Sequence, residues 1–62
     1  MGARETIKTW QWRIKKTGKN QGEFARIIGI SPSLLSDYCN GKKSPSLERF
    51  DLIENTLKFM GV

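Results

Sequence analysis

Histidine is absent from this 62-residue chain, and cysteine occurs once. Those two scarcities exclude the common zinc sites built from protein ligands, and Ser–His or Cys–His catalytic pairs with them. A lone Cys cannot close an internal disulfide, which sets aside a secreted, cross-linked mini-protein and fits a reducing, cytoplasmic setting. Long apolar runs are missing too. The longest stretch free of charge, Ile27 to Ser36, is ten residues and contains Gly29 and Pro32, too short and too interrupted to span a bilayer. Met1-Gly2-Ala3-Arg4-Glu5 has no apolar run behind it, so no signal peptide is expected. No alternating strand pattern exceeds three residues, and there is no internal repeat. The length implies one domain over residues 1–62, without a second core or an enclosed cofactor cleft. No cofactor, metal or small-molecule ligand is expected.

What the chain does carry is positive charge, +5 overall, and it is unevenly spread. Residues 1–43 hold nine bases and three acids, whereas residues 44–62 hold two bases and three acids. A basic body with a near-neutral tail suits one face for a polyanion and another for packing. Charge alone equally fits a surface that only keeps the protein in solution.

Apolar spacing and break signals predict an all-α fold, a compact bundle of four helices. Ile7, Trp10 and Ile14 mark one face of a first helix from about Arg4 to Lys16, closed by Thr17-Gly18 with Lys15 and Lys16 in its last turn. Asn20 with Glu23 three residues on reads as a capping box opening a second helix. Phe24, Ala25 and Ile28 give that helix its inner face, and Gly29 ends it. Ser31-Pro32 starts a third, which Leu34, Leu35 and Tyr38 turn inward and Asn40-Gly41 stops. Lys42-Lys43-Ser44-Pro45 is a polar loop. Ser46 caps a fourth helix with an inner stripe of Leu47, Phe50, Ile53 and Leu57, ending near Met60.

The join between the second and third helices is the informative feature. Two helices crossing steeply over a short turn need a small side chain at closest approach, and Ala25 supplies it. The turn needs a residue at ease with positive φ, and Gly29 supplies that. Phe24, Ile28, Ile30, Leu35 and Tyr38 lock both helices to the core. Together these slots describe a helix-turn-helix over about residues 21–40, whose second helix would lie in the major groove of DNA. Asn20-Gln21-x-x-Phe24-Ala25-x-x-Ile28-Gly29-Ile30-Ser31, then Leu35, Asn40-Gly41-Lys42 and Pro45-Ser46-Leu47, resembles the Cro and lambda-repressor type of helix-turn-helix. The resemblance runs from about Ile7 to Met60.

This resemblance implies double-stranded DNA as partner and gives residues their roles. Gln21 would hydrogen-bond a phosphate from the start of the second helix, with Lys19 and Asn20 adding to that anchor. A good helix former and an N-cap would account for Gln21 and Asn20 as well. Asn40, Lys42 and Lys43 would hold the backbone on the other side of the groove, unless they form only an ordinary exposed turn. Between the anchors, Pro32, Ser33, Ser36 and Asp37 point away from Leu35 and Tyr38 and would face the bases. Members of the family often carry glutamines at the positions of Pro32 and Ser33, so this chain departs from them. Pro32 offers apolar contact, Ser33 and Ser36 can donate or accept, and Asp37 would accept from cytosine N4. Such short side chains leave much of the specificity to shape or water.

The family often pairs an Arg in the first helix with a Glu near the end of the third. Ile14 and Cys39 stand at those positions, so both partners are replaced together by apolar residues, and Cys39 is expected to be a small core residue. Trp12 points away from the Trp10 stripe, towards a core edge or an interface. Leu52, Thr56 and Phe59 form a second stripe on the fourth helix, a candidate dimer surface. A fifth helix, which many members of the family have, is not expected from this sequence, so a protein monomeric alone and paired only on DNA is the alternative.

The sequence therefore reads as a sequence-specific DNA-binding protein, a phage, prophage or plasmid repressor acting by operator occupancy, cytoplasmic and homodimeric. The competing reading is a protein-interaction adapter or antitoxin-like module, with RNA binding weaker. Enzymatic activity is not expected, because no acids converge and no nucleophile has a partner base.

Overall fold

Residues 3–62 are described by a computed structural model, and every regular element among them is helical. The elements are α1 (Ala3–Lys8), α2 (Trp10–Lys16), α3 (Gln21–Ile28), α4 (Pro32–Cys39) and α5 (Leu47–Phe59). The first two replace the single helix expected over about Arg4 to Lys16. Thr9 causes the interruption: its N–H and its hydroxyl both donate to the Thr6 carbonyl, at 3.0 and 2.6 Å. That three-residue closure takes the place of the helical bond, a known competition from Thr side chains. The fifth helix thus comes from a break, not from a segment added after the last expected one.

The remaining boundaries follow local chemistry. Asn20 and Glu23 form a reciprocal capping box, Glu23 N–H donating to Asn20 Oδ1 at 2.8 Å and Asn20 N–H to Glu23 Oε1 at 3.2 Å. Gly29 closes α3 at φ 78°, which lets Ile30 N–H return to the Ala25 carbonyl at 3.0 Å. The Ser31 hydroxyl accepts from Leu34 N–H and the Ser46 hydroxyl from Arg49 N–H, so both hydroxyl caps are occupied.

Four helices feed one core. Trp10 and Ile14 come from α2, Phe24 and Ala25 from α3, Leu35 and Tyr38 from α4, and Ile53 and Leu57 from α5; all are buried. Ile7, Ile28, Ile30, Leu34, Cys39 and Phe50 are partly buried against them. Cys39 is therefore at the core's edge rather than fully inside, and burial pushes its thiol pKa up from 9.0. Leu47 departs from its expected place: it is 77% exposed, because as the first residue of α5 it precedes the turn that reaches the core. The stripe on α5 begins instead at Phe50, whose ring lies 5.6 Å from that of Trp10.

One polar cluster seals this core. Trp10 Nε1–H and Arg13 Nη1–H both donate to Glu54 Oε2, at 2.6 and 2.7 Å, and Arg13 Nη2–H reaches the Val62 carbonyl at 3.1 Å. The cluster ties α2 to the middle of α5 and to Val62 beyond it. Sequence spacing gives no hint of it, since Arg13 and Glu54 lie 41 residues apart.

Candidate nucleic-acid interface

The site is built on the α3–α4 pair. Ala25, wholly buried, lets the two helices approach, and Gly29 and Ile30 turn the chain between them. Leu35 and Tyr38 face inward, which aims the opposite side of α4 at solvent. Pro32 occupies the first helical position, where its missing N–H costs no bond, and both Pro32 and Ser33 are exposed. Ser36 and Asp37 are half-buried, and each is engaged. Asn40 Nδ2–H donates to Ser36 Oγ at 3.2 Å, and Lys43 Nζ stands 3.8 Å from Asp37 Oδ2.

Two polar clusters accompany this pair, one at the start of α3 and one just after α4. On one side, Lys19 and Gln21 line a cleft of about 470 Å³ together with Gln11, Lys15, Gly18, Asn20 and Glu23. Gln21 opens α3, while the Asn20 side-chain oxygen serves the cap. Glu23 is turned back onto the same cap, so its charge is hydrogen-bonded rather than projected. On the other side, the chain wraps back onto α4: Gly41 N–H donates to the Tyr38 carbonyl, and Lys42 and Lys43 N–H donate to that of Asp37 at 2.8 and 3.3 Å. Gly41 at φ 78° makes that reversal accessible. Exposed Asn40, Lys42 and Lys43 are thereby fixed at the end of α4 by main-chain bonds.

Residues 11–59 match the family described as helix-turn-helix. The chain belongs to the helix-turn-helix family. No curated protein and no solved structure matches it significantly. In this helix-turn-helix protein α3 and α4 are the paired helices, and membership makes it a DNA-binding transcription regulator. Among the described residues no helix is long and apolar enough to cross a membrane.

Some features of the helix-turn-helix domain escape sequence reading. Gln11 Nε2–H donates to Asn40 Oδ1 at 3.3 Å, joining α2 to the end of α4. Trp12 lies off the core, half-exposed, with Lys16 Nζ 4.7 Å from its ring centre. On α5, Leu52 and Phe59 are exposed and Thr56 is half-buried, its hydroxyl donating to the Leu52 carbonyl at 2.7 Å. Ile27 on α3 is exposed as well and belongs to no expected stripe.

Proposed function

We propose that this protein is a sequence-specific repressor of phage, prophage or plasmid origin that occupies an operator in the cytoplasm and excludes polymerase. The observation that carries the reading is the construction of α4. Its solvent side offers Pro32, Ser33, Ser36 and Asp37; Asn40, Lys42 and Lys43 follow its C-terminal end, and Lys19, Asn20 and Gln21 form a second polar cluster at the start of α3. Backbone anchors on both sides of a groove fix register, and the side chains between them read base edges. The protein acts as a homodimer on DNA through Leu52, Thr56 and Phe59, placing two recognition helices one duplex turn, about 34 Å, apart. It carries no catalytic machinery and uses no cofactor.

Titrating the protein into the DNA flanking its own gene at several salt concentrations tests this. Site-specific binding with log K falling steeply against log salt supports it. Binding without sequence preference at any salt refutes it. A second reading, an adapter or antitoxin-like module, is favoured by Phe59, which is 92% exposed. Pull-down of a protein partner whose binding survives Gln21→Ala and Lys42→Ala but not Phe59→Ser would select that reading.

A further inference from the structure

The reading side of α4 is wired to α2 through Gln11. Gln11 Nε2–H donates to Asn40 Oδ1 at 3.3 Å, and Asn40 Nδ2–H donates to Ser36 Oγ at 3.2 Å. An Asn amide has one accepting and one donating end, so this chain of bonds has a direction. Gln11 occupies the accepting end of Asn40 and leaves its donating end for Ser36. Among the described residues the Ser36 hydroxyl, already accepting, has no acceptor for its own proton. Gln11 also lines the cleft that holds Lys19 and Gln21, so one side chain joins both polar clusters beside α4.

We infer that Gln11 is a positioning residue for DNA specificity: by fixing the Asn40 amide, it makes Ser36 present a hydrogen-bond donor to the major groove. The preferred partners are then base acceptors, guanine O6 or N7, adenine N7 and thymine O4. An unheld Ser36 could turn either way and would discriminate weakly. This inference rests on the proposed DNA-reading role and goes beyond it by giving the polarity of one contact.

The experiment begins with duplexes selected by the wild-type protein from a random-sequence pool. Binding is then measured on the selected duplex and on its single-base variants. Gln11→Met keeps length and removes the donor; with the thermal midpoint unchanged, it should flatten preference at one base position by roughly three- to tenfold. In a Ser36→Ala background, Gln11→Met should change nothing at that position. Gln11→Glu supplies only acceptors, so Asn40 should reverse and Ser36 should donate inward. Preference should then move towards the amino groups of cytosine or adenine. The inference is overturned if Gln11→Met weakens all duplexes equally and still does so with Ser36→Ala, the signature of a plain backbone contact. It is also overturned if neither Gln11 variant alters preference. Failure of the wild-type protein to select any sequence overturns the DNA-reading proposal itself, and this inference with it.

Discussion

Glu54→Ala should remove a large share of this protein's stability, and the size of the effect can be worked from the Trp10–Arg13–Glu54 cluster. The Arg13 and Glu54 side chains are each only 13% exposed, and a single oxygen, Glu54 Oε2, receives both the Arg13 and the Trp10 donor. Removing the carboxylate leaves a nearly buried guanidinium without its counterion and a buried indole N–H without an acceptor. Breaking one side of a buried pair costs about 3–5 kcal/mol. A domain of 62 residues, at roughly 0.05–0.15 kcal/mol per residue, holds only about 3–9 kcal/mol in total. The thermal midpoint should therefore fall by about 12–40 °C, read by circular dichroism and urea titration. The double variant Arg13→Met/Glu54→Leu should recover much of the loss, because no buried charge is then left without a counterion; the Trp10 N–H loses its acceptor, at about 1–3 kcal/mol, and the partly exposed Val62 carbonyl loses its Arg13 donor. The exposed Lys43–Asp37 pair is the internal comparison: at 3.8 Å and 62% and 29% exposed, it should give up less than about 1 kcal/mol in Asp37→Ala. A cost for Glu54→Ala no larger than that, or a double variant worse than the single, would refute the argument from burial.

Gly29→Ala should cost about 1–2 kcal/mol by urea titration; open space surrounds the added Cβ, so only the left-handed backbone at φ 78° is strained. Folded Cys39 holds its proton more tightly than the unfolded chain, whose thiol ionises near 9.0. Its contribution to stability is complete below that pH and is lost as pH rises through the higher folded value; Cys39→Ala should remove this part of the alkaline decline in stability. Gln21→Ala and Lys42→Ala should weaken binding to all duplexes alike, with Lys42→Ala lowering the salt slope by about one, whereas Asp37→Ala should change which base is preferred. Phe59→Ser with Leu52→Ser should leave folding intact and reduce the protein-to-duplex ratio in sedimentation from two to one, or, if pairing uses another face, leave it at two.

The helix-turn-helix was legible because its constraints are local. Asn20 with Glu23, Gly29, and Ser31 before Pro32 each act through bonds within a few residues, and each forms as its chemistry requires. Thr9 shows the limit of periodicity. Ile7, Trp10 and Ile14 keep helical spacing across it, so nothing in the apolar pattern marks the break made by its hydroxyl. Leu47 illustrates a related failure, since position on a helical face does not tell whether the first turn of α5 reaches the core. The Arg13–Glu54 and Gln11–Asn40 contacts were out of reach for another reason. They join residues 41 and 29 positions apart, through the flanks of helices whose mutual rotation only the packed core determines.

The relocated ion pair changes how the recognition helix is held. In the family this chain resembles, an Arg in the first helix often pairs with a Glu near the end of the third, which would bolt the end of the reading helix to the core. Here the corresponding residues are Ile14, wholly inside, and Cys39, at the core's edge. The nearly buried charge pair lies instead between α2 and α5 and makes no contact with α4. The end of α4 is kept instead by the Gly41 and Lys42 main-chain bonds and by the Gln11–Asn40–Ser36 chain, all close to solvent. Bonds that compete with water hold a helix end less rigidly than a desolvated ion pair with the same reach. That division suits a reading helix with short side chains. In the proposed complex Pro32, Ser33 and Ser36 would reach only shallow groove edges, so good contact would depend on small adjustments of the helix against the duplex. The nearly buried Arg13–Glu54 pair would preserve the fold while α4 makes them.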